Sequence, residues 1–290
     1  MIDIKKLTLL IEINGKTLVV GGRAADTDCK LCELSGIESA TVSISTLPFA
    51  QSDGSEITGL RLESRTVQIE AQYHQKSSTE LQRQWLVSFF NPHHDVKLTV
   101  IYAGISRYVN CKIRAFYSNQ KNMWAPLNFS IDLFSADPYF LDSKENEINM
   151  AEKIPQLTAP FAIPRDKRAP FSVRKFQYEV TLTNGGDVSA GLRVEFRARG
   201  DVLNPRLDNL STGEYLRVLT PMVAGDVLLI TTMQGRKRIE LNGVNISNLK
   251  DRMSSFFQLP VGKSTLKYSA DAGYSRLDVF PRFTQKYLGV

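Results

Sequence analysis

The 290-residue sequence is poor in the side chains that most enzymes use for chemistry, with three cysteines, three histidines and two tryptophans. An odd, small number of cysteines excludes a disulfide framework. Cys29-Lys30-Leu31-Cys32 has C-x-x-C spacing, but a structural zinc site wants four ligands, usually from two such pairs, and Cys111 is remote in sequence. A redox reading needs a strand–motif–helix setting, and Glu33 to Glu38 contains Gly36 and no helical stripe. The cysteines are therefore read as small buried or half-buried residues. His93-His94-Asp95 has no third ligand at a suitable spacing, and a His pair after a helix is explained by the helix dipole. There is no Walker loop, nucleophile elbow or His-Glu-x-x-His motif. Asp137, Asp201 and Asp226 sit in turn contexts, where capping of the backbone accounts for them. The expectation is no catalytic residue, no cofactor, no metal and no enzyme activity.

Long apolar runs are also missing. None approaches the eighteen or so residues of a membrane helix, so membrane insertion is not expected. The start, Met1-Ile2-Asp3-Ile4-Lys5-Lys6, lacks the order of a signal peptide. This predicts a protein made and kept in a cytoplasm, or leaving it by lysis or assembly. Arg165-Asp166-Lys167-Arg168 is basic but has no interleaved aromatics, and reads as solvated linker with no specific nucleic-acid binding.

What is present is alternation. Leu7 to Ile13 and Lys16 to Val20 are two strands joined at Asn14-Gly15, the strongest short hairpin signal. The β-branched run Thr41 to Thr46 and the stretch Leu60 to Tyr73 flank the polar, glycine-containing segment Pro48 to Gly59. Together they predict one long hairpin, about Ser39 to Tyr73. Ser77-Ser78-Thr79-Glu80 has the order of a capping box. Leu81, Trp85, Leu86 and Phe89 then form one apolar stripe, and Asn91-Pro92 ends the helix. Trp85 on that stripe is expected in the core. Val96 to Ala103, Arg107 to Tyr117 and Trp124 to Phe134 are further strands.

Ser135-Ala136-Asp137-Pro138-Tyr139-Phe140 interrupts this pattern, either as a strand-ending turn or as a domain boundary. Pro155, Pro160, Pro164 and Pro170 then space an extended stretch. Residues 1–140 hold 14 basic and 14 acidic residues, whereas residues 173–290 hold 17 and 11, so the net charge of +6 sits in the last part. The fold class is mainly β. Residues 1–140 form a sandwich with one helix and a long hairpin, 141–172 a proline-spaced linker, and 173–290 a jelly-roll sandwich built on turns at Asn184-Gly185-Gly186-Asp187, Gly225-Asp226 and Asn242-Gly243.

The order of several weak turn signatures carries a resemblance. They are Phe89-Phe90-Asn91-Pro92, Ser135 to Phe140, Asn184 to Asp187, Asn204-Pro205, Asn209 to Gly213, Gly225-Asp226-Val227, Asn242-Gly243 and Tyr287-Leu288-Gly289-Val290. With them the chain resembles, over nearly its whole length, the distal tail protein family of long non-contractile-tailed bacteriophages. The resemblance implies a structural protein of the virion tail tip, assembled in the cytoplasm of the bacterial host. It implies a hexameric ring formed by the N-terminal domain and a galectin-like C-terminal sandwich. The implied partners are further copies of the chain, the tail tube protein, the tail-associated hub protein, and receptor-binding or other baseplate proteins. The hairpin is the natural element to lie against a neighbouring subunit, which makes Leu47, Pro48, Phe49, Leu60, Leu62, Val67 and Ile69 candidate subunit-interface residues. The galectin-like implication also opens an alternative, a carbohydrate-binding module for host recognition. Both tryptophans and all three histidines lie in the first part, however, so the second lacks those groups of a galactoside site.

Overall fold

The computed structural model describes residues 6–21, 27–73, 79–119, 126–147, 150, 153–155, 172–174 and 178–290. Ser77 and Ser78 of the expected capping box, Trp124, the Arg165–Arg168 cluster and prolines 160, 164 and 170 lie outside the described residues. The protein is mainly β, with one α-helix among the described residues. It divides into two compact units, residues 1–143 with 286–290, and residues 144–285. The last five residues, assigned by composition to the second half, thus pack with the first.

In the first unit the strands are β1 (Leu7–Ile13), β2 (Lys16–Gly21), β3 (Cys29–Ser35), β4 (Val42–Pro48), β5 (Ser55–Leu62), β6 (Arg65–Tyr73), β7 (Asp95–Tyr102), β8 (Ile105–Asn119), β9 (Asn128–Ser135) and β10 (Phe140–Asp142). Pairing runs β8-β7-β1-β2-β3-β6-β9 and returns to β8, so the main sheet closes on itself. The length of β8 makes closure possible. Its first half pairs with β7, and from Lys112 onward it pairs with β9. Closure removes the edges on which strands aggregate.

Period-2 alternation decides which side chains fill this barrel. Leu7, Leu9, Ile11 and Ile13 of β1 point inward, with Val96, Leu98 and Val100 of β7, Val67, Ile69 and Ala71 of β6, and Phe129, Ile131 and Leu133 of β9. Burial of each large aliphatic contributes about 1.5–3 kcal/mol. The Asn14-Gly15 hairpin forms as expected, with Ile13 opposite Lys16 and both turn residues at positive φ. A second hairpin of this kind joins β7 to β8 at Ala103-Gly104.

Three differences from the sequence reading have physical causes. Cys29 to Ser35, assigned no element from the sequence, is a strand with a bulge between Leu31 and Glu33. The bulge breaks the alternation by which a strand is recognised. The stretch Leu60–Tyr73 is two strands, not one, because the chain leaves the ladder at Glu63-Ser64. Helix α1 (Thr79–Phe89) buries Leu86 and Phe89 of the expected stripe, but with Gln82, and with Phe90 just beyond its end, while Leu81 and Trp85 stay exposed. The two stripes are neighbours on the helix surface, and helical periodicity alone does not choose between them.

The second unit contains β11 (Asn146–Glu147), β12 (Lys153–Pro155), β13 (Ser172–Arg174), β14 (Glu179–Asn184), β15 (Leu192–Ala198), β16 (Val202–Asn209), β17 (Tyr215–Arg217), β18 (Pro221–Met222), β19 (Val227–Thr231), β20 (Arg238–Leu241), β21 (Val244–Asn245), β22 (Gly262–Ala272) and β23 (Leu277–Phe283). Two sheets dominate, β11-β23-β15-β19-β20-β21 and β14-β22-β16-β17, with β18 beside β16. Val194, Phe196, Leu228, Ile230 and Val279 from the first share one core with Leu182, Leu207, Leu266 and Tyr268 from the second. The expected turns are hydrogen-bond anchors. Asn184 is buried, donates to the carbonyls of Val188 and Leu259, and accepts from the Gly186 amide. The Asp226 carboxylate accepts from the Val223 amide and from Asn242 Nδ2, while Asn242 Oδ1 accepts from the Val227 amide. These donors hold the Asp226 carboxyl below its ordinary pKa.

Cys111 is buried in the first core, and burial pushes its thiol from an ordinary 9.0 up to about 12, with Arg65 pulling the other way. Above pH 9 the unfolded chain releases this proton while the folded chain keeps it, so stability falls as pH rises towards 12. Cys111→Ala removes that contribution. Urea unfolding between pH 9 and about 11 is expected to show a steeper loss for the wild type than for Cys111→Ala, the slopes differing by up to ~1.4 kcal/mol per pH unit. Equal slopes would show that the thiol titrates alike in both states.

Candidate assembly interface

Strands β4 and β5 form a two-stranded sheet of their own. A bulge between Ser45 and Thr46 interrupts their ladder, and Gly59 lies opposite Ser45. Residues directly paired across an antiparallel ladder share a face. The register therefore puts Val42 with Leu62, Ile44 with Leu60, and Thr46 with Ile57 on one side. Ser43 with Arg61, and Leu47 with Glu56, occupy the other. The ribbon is amphipathic, but its apolar side meets water, with Ile44 55% and Leu60 69% exposed. An isolated hairpin is marginal in water, and an exposed apolar row beside two unpaired edges makes the ribbon a candidate docking surface.

The seven candidate residues divide on this geometry. Leu47, Phe49 and Leu60 are exposed on the hairpin, Pro48 is exposed at the end of β4, and Leu62 is half-buried at its base. Val67 and Ile69 do not belong with them. They lie on β6 at 0% exposure inside the first core, and no neighbour reaches them while the barrel is folded. Val42, Ile44 and Ile57, which sequence reasoning left out, belong on the apolar face. The signal that finds them is the cross-strand register, which depends on the bulge.

On α1 Leu81 and Trp85, one turn apart, are exposed together, Trp85 at 38%. Trp85 was expected in the core. It instead lies over the core's rim, stacked on Phe89 with ring centroids 4.9 Å apart. The remaining sequence candidates are dispersed. His93 and His94 are exposed, and Asp95 pairs with Lys112 at 2.8 Å. Cys29 is buried and Cys32 exposed, and neither is in a disulfide. Cys32 lines a shallow groove of about 290 Å³ with Glu70, Tyr117, Asn119, Asn128 and Ser130. Among the described residues no group of three or more His, Cys, Asp or Glu is placed to hold a metal ion.

The hairpin's base is fixed by one buried charge. Arg65, 2% exposed, opens β6 immediately after the hairpin. Its Nη1 donates to the carbonyls of Gly36 (2.6 Å) and Glu38 (2.7 Å), before the hairpin. Nε donates to Pro138 O at 2.8 Å, and Nη2 to Leu288 O at 2.5 Å. The guanidinium also lies 4.7 Å from the Phe140 ring centroid. Burial lowers the Arg65 pKa from its ordinary value. The Asp137-Pro138 turn is thus a socket for Arg65 rather than the domain boundary itself. Its own shape comes from Asp137 Oδ1 accepting the Tyr139 amide and from Ser135 Oγ donating to Asp137 O.

In the second unit, the exposed side of the β14-β22-β16-β17 sheet carries charged residues paired with one another. Arg206 donates to Asp208 and lies 4.0 Å over the Tyr215 ring, and Arg217 pairs with Asp271 and Asp251. One face of the Tyr215 ring is thus covered by Arg206.

With the geometry in place, three comparisons bear on it. Residues 185–287 match the model of the siphovirus-type tail component, C-terminal domain. The whole chain has the fold of the SPP1 Dit (gp 19.1) protein, described as a paradigm of the hub adsorption apparatus in phages that infect Gram-positive bacteria. The TM-score is 0.68 at 15% identity, covering 96% of this chain and 98% of that one. It is also similar to a chain of the phage P2 baseplate in its activated conformation with calcium (TM-score 0.52, 9% identity, 98% and 99% covered). The strontium form matches in the same way (TM-score 0.53, 10% identity, 98% and 99% covered). No curated protein matches by sequence. The resemblance to distal tail proteins is thus met by the family model in the second part and by the fold along nearly the whole chain. Among the described residues no helix is long and apolar enough to cross a membrane.

Arg65→Met removes the donors from four carbonyls buried around one site. Each unpaired group costs about 1–3 kcal/mol, partly relieved by movement of the turns, so a net loss of ~3–5 kcal/mol is expected in urea unfolding. Arg65→Lys is expected to recover little, because an ammonium lacks the planar fork that spans Gly36, Pro138 and Leu288. A lysine variant as stable as the wild type would show that charge alone suffices.

Proposed function

We propose that the protein is the hub of a siphophage tail tip, a structural component that closes into a hexameric ring. The ring would join the tail tube to the tail-associated hub protein and to receptor-binding or other baseplate proteins, after assembly in the host cytoplasm. The observation that carries the reading is the β4–β5 ribbon, an apolar strand face exposed on an otherwise closed barrel. Identical subunits related by a rotation that closes would each offer the ribbon to the next copy, in a head-to-tail contact. The family match in residues 185–287 and the likeness to SPP1 Dit support the same reading. It asks nothing of a reaction centre.

Light scattering with negative-stain imaging tests it. Six copies of 32.6 kDa should give roughly 200 kDa and a ring with a central hole. The double variant Ile44→Asp/Leu60→Glu changes only exposed side chains and is expected to keep the wild-type circular dichroism while running as a monomer. A wild-type chain that stays monomeric at every concentration refutes self-closure, and a charged variant that still forms rings refutes the hairpin as the seam.

A further inference from the structure

The segment Lys286–Val290 leaves the second unit and packs in the first. We propose that it is a strap that sets the base of the β4–β5 hairpin, so that assembly through the hairpin depends on the last residues of the chain. The strap is held along its length. Lys286–Tyr287 forms strand β24 on β10, with Tyr287 opposite Phe140 and Lys286 opposite Leu141. Lys286 Nζ lies 3.3 Å from Asp137 Oδ2. The Arg107 guanidinium lies 3.5 Å over the Tyr287 ring and donates to Gly289 O.

Its end reaches the leg by which the chain enters the hairpin. The Val290 amide donates to Ile37 O at 3.1 Å, between the two carbonyls, Gly36 and Glu38, that Arg65 holds. Arg65 begins the leg by which the chain leaves the hairpin, and its fourth bond goes to the strap at Leu288 O. Both legs and the strap thus meet in one set of hydrogen bonds. The Glu63 amide, bonded to Thr41 O at 2.9 Å, closes the ribbon just above it. The fit leaves no room at Gly289. A Cβ there would stand 2.7 Å from Glu38 O and 3.0 Å from Ile37 O, main-chain atoms that have no rotamer by which to move aside.

Without the strap, Arg65 loses an acceptor and the entering leg loses the Val290 donor. The ribbon would stay paired within itself but would no longer leave the barrel at a fixed angle. The hydrogen-bond argument for the strap is independent of the ring; its consequence for assembly rests on the reading above.

Two variants test it, a chain ending at Tyr287 and Gly289→Ala, the second altering no hydrogen-bonding group. Hydrogen exchange is measured in the monomeric Ile44→Asp/Leu60→Glu background, so that a ring does not mask the hairpin. The Glu63 amide is expected to exchange roughly tenfold faster or more in both variants, while β1 and β7 amides keep their rates. Unchanged Glu63 exchange in both overturns the strap. Equal acceleration in β1 and β7 also overturns it, by making the segment a general part of the barrel. Without the background substitutions, both variants are expected to lose rings that the wild type forms. Rings that persist over a loosened base overturn the link to assembly. A wild type that forms no ring, with a loosened base in the variants, sinks the ring reading and leaves the strap standing.

Discussion

A guanidinium taken out of water is unfavourable unless nearly all its donors are satisfied, and Arg65 imposes that condition on the first unit. Its bonds draw in four carbonyls from three separated stretches: Gly36 and Glu38 before the hairpin, Pro138 after β9, and Leu288 near the end. None of these groups is charged, so the fit depends on dipoles held at the right angles rather than on a movable counter-ion. Several sequence features then acquire a reason. Gly36 has φ of 82°, and a Cβ there would collide with Thr66 O. Asp137-Pro138 turns the chain so that one carbonyl faces inward, and Gly289 lets the strap approach main chain directly.

The hairpin and the barrel use one sequence pattern for opposite ends. Ile44 and Leu60 alternate with polar residues as Val67 and Ile69 do. The first pair faces water and the second is fully buried. The difference lies in what stands opposite. β6 is paired on both sides, by β3 and β9, and its inner face meets the core. Among the described residues β4 and β5 have only each other. An apolar row that folding leaves uncovered stays unfavourably hydrated, which is the physical ground for proposing it as an assembly surface.

This is also where the sequence stopped being legible. Asn14-Gly15, the strands of alternating residues and the mainly β class could be read directly, since each depends on nearby residues. The hairpin's existence was visible, but its length was not, because Glu63-Ser64 carries no breaker. β3 and β16 were hidden by a bulge and by Asn204-Pro205, where Asn204 takes a positive φ inside a strand that still pairs with β22. Val67 and Ile69 were grouped with the interface because a period of two says that a face is apolar, not what it faces. Arg65 gave no signal at all. Its partners lie up to 223 positions away, and nothing local distinguishes a buried arginine from a solvated one.

The core and the turns of the second unit make different demands on the sequence. Core positions such as Val194, Leu228 and Val279 ask for apolar volume, and several residues supply it. The turns ask for particular atoms. Asn184 uses both ends of its amide, and Asn242 donates to Asp226 while accepting from the Val227 amide, which neither a carboxylate nor a hydroxyl reproduces in that geometry. A sandwich can thus exchange most of its core and keep its corners. The same reasoning separates fold from role in this chain. The corners depend on particular atoms, whereas the uncovered ribbon of the first unit, on which the proposed hub role rests, asks only for apolar side chains.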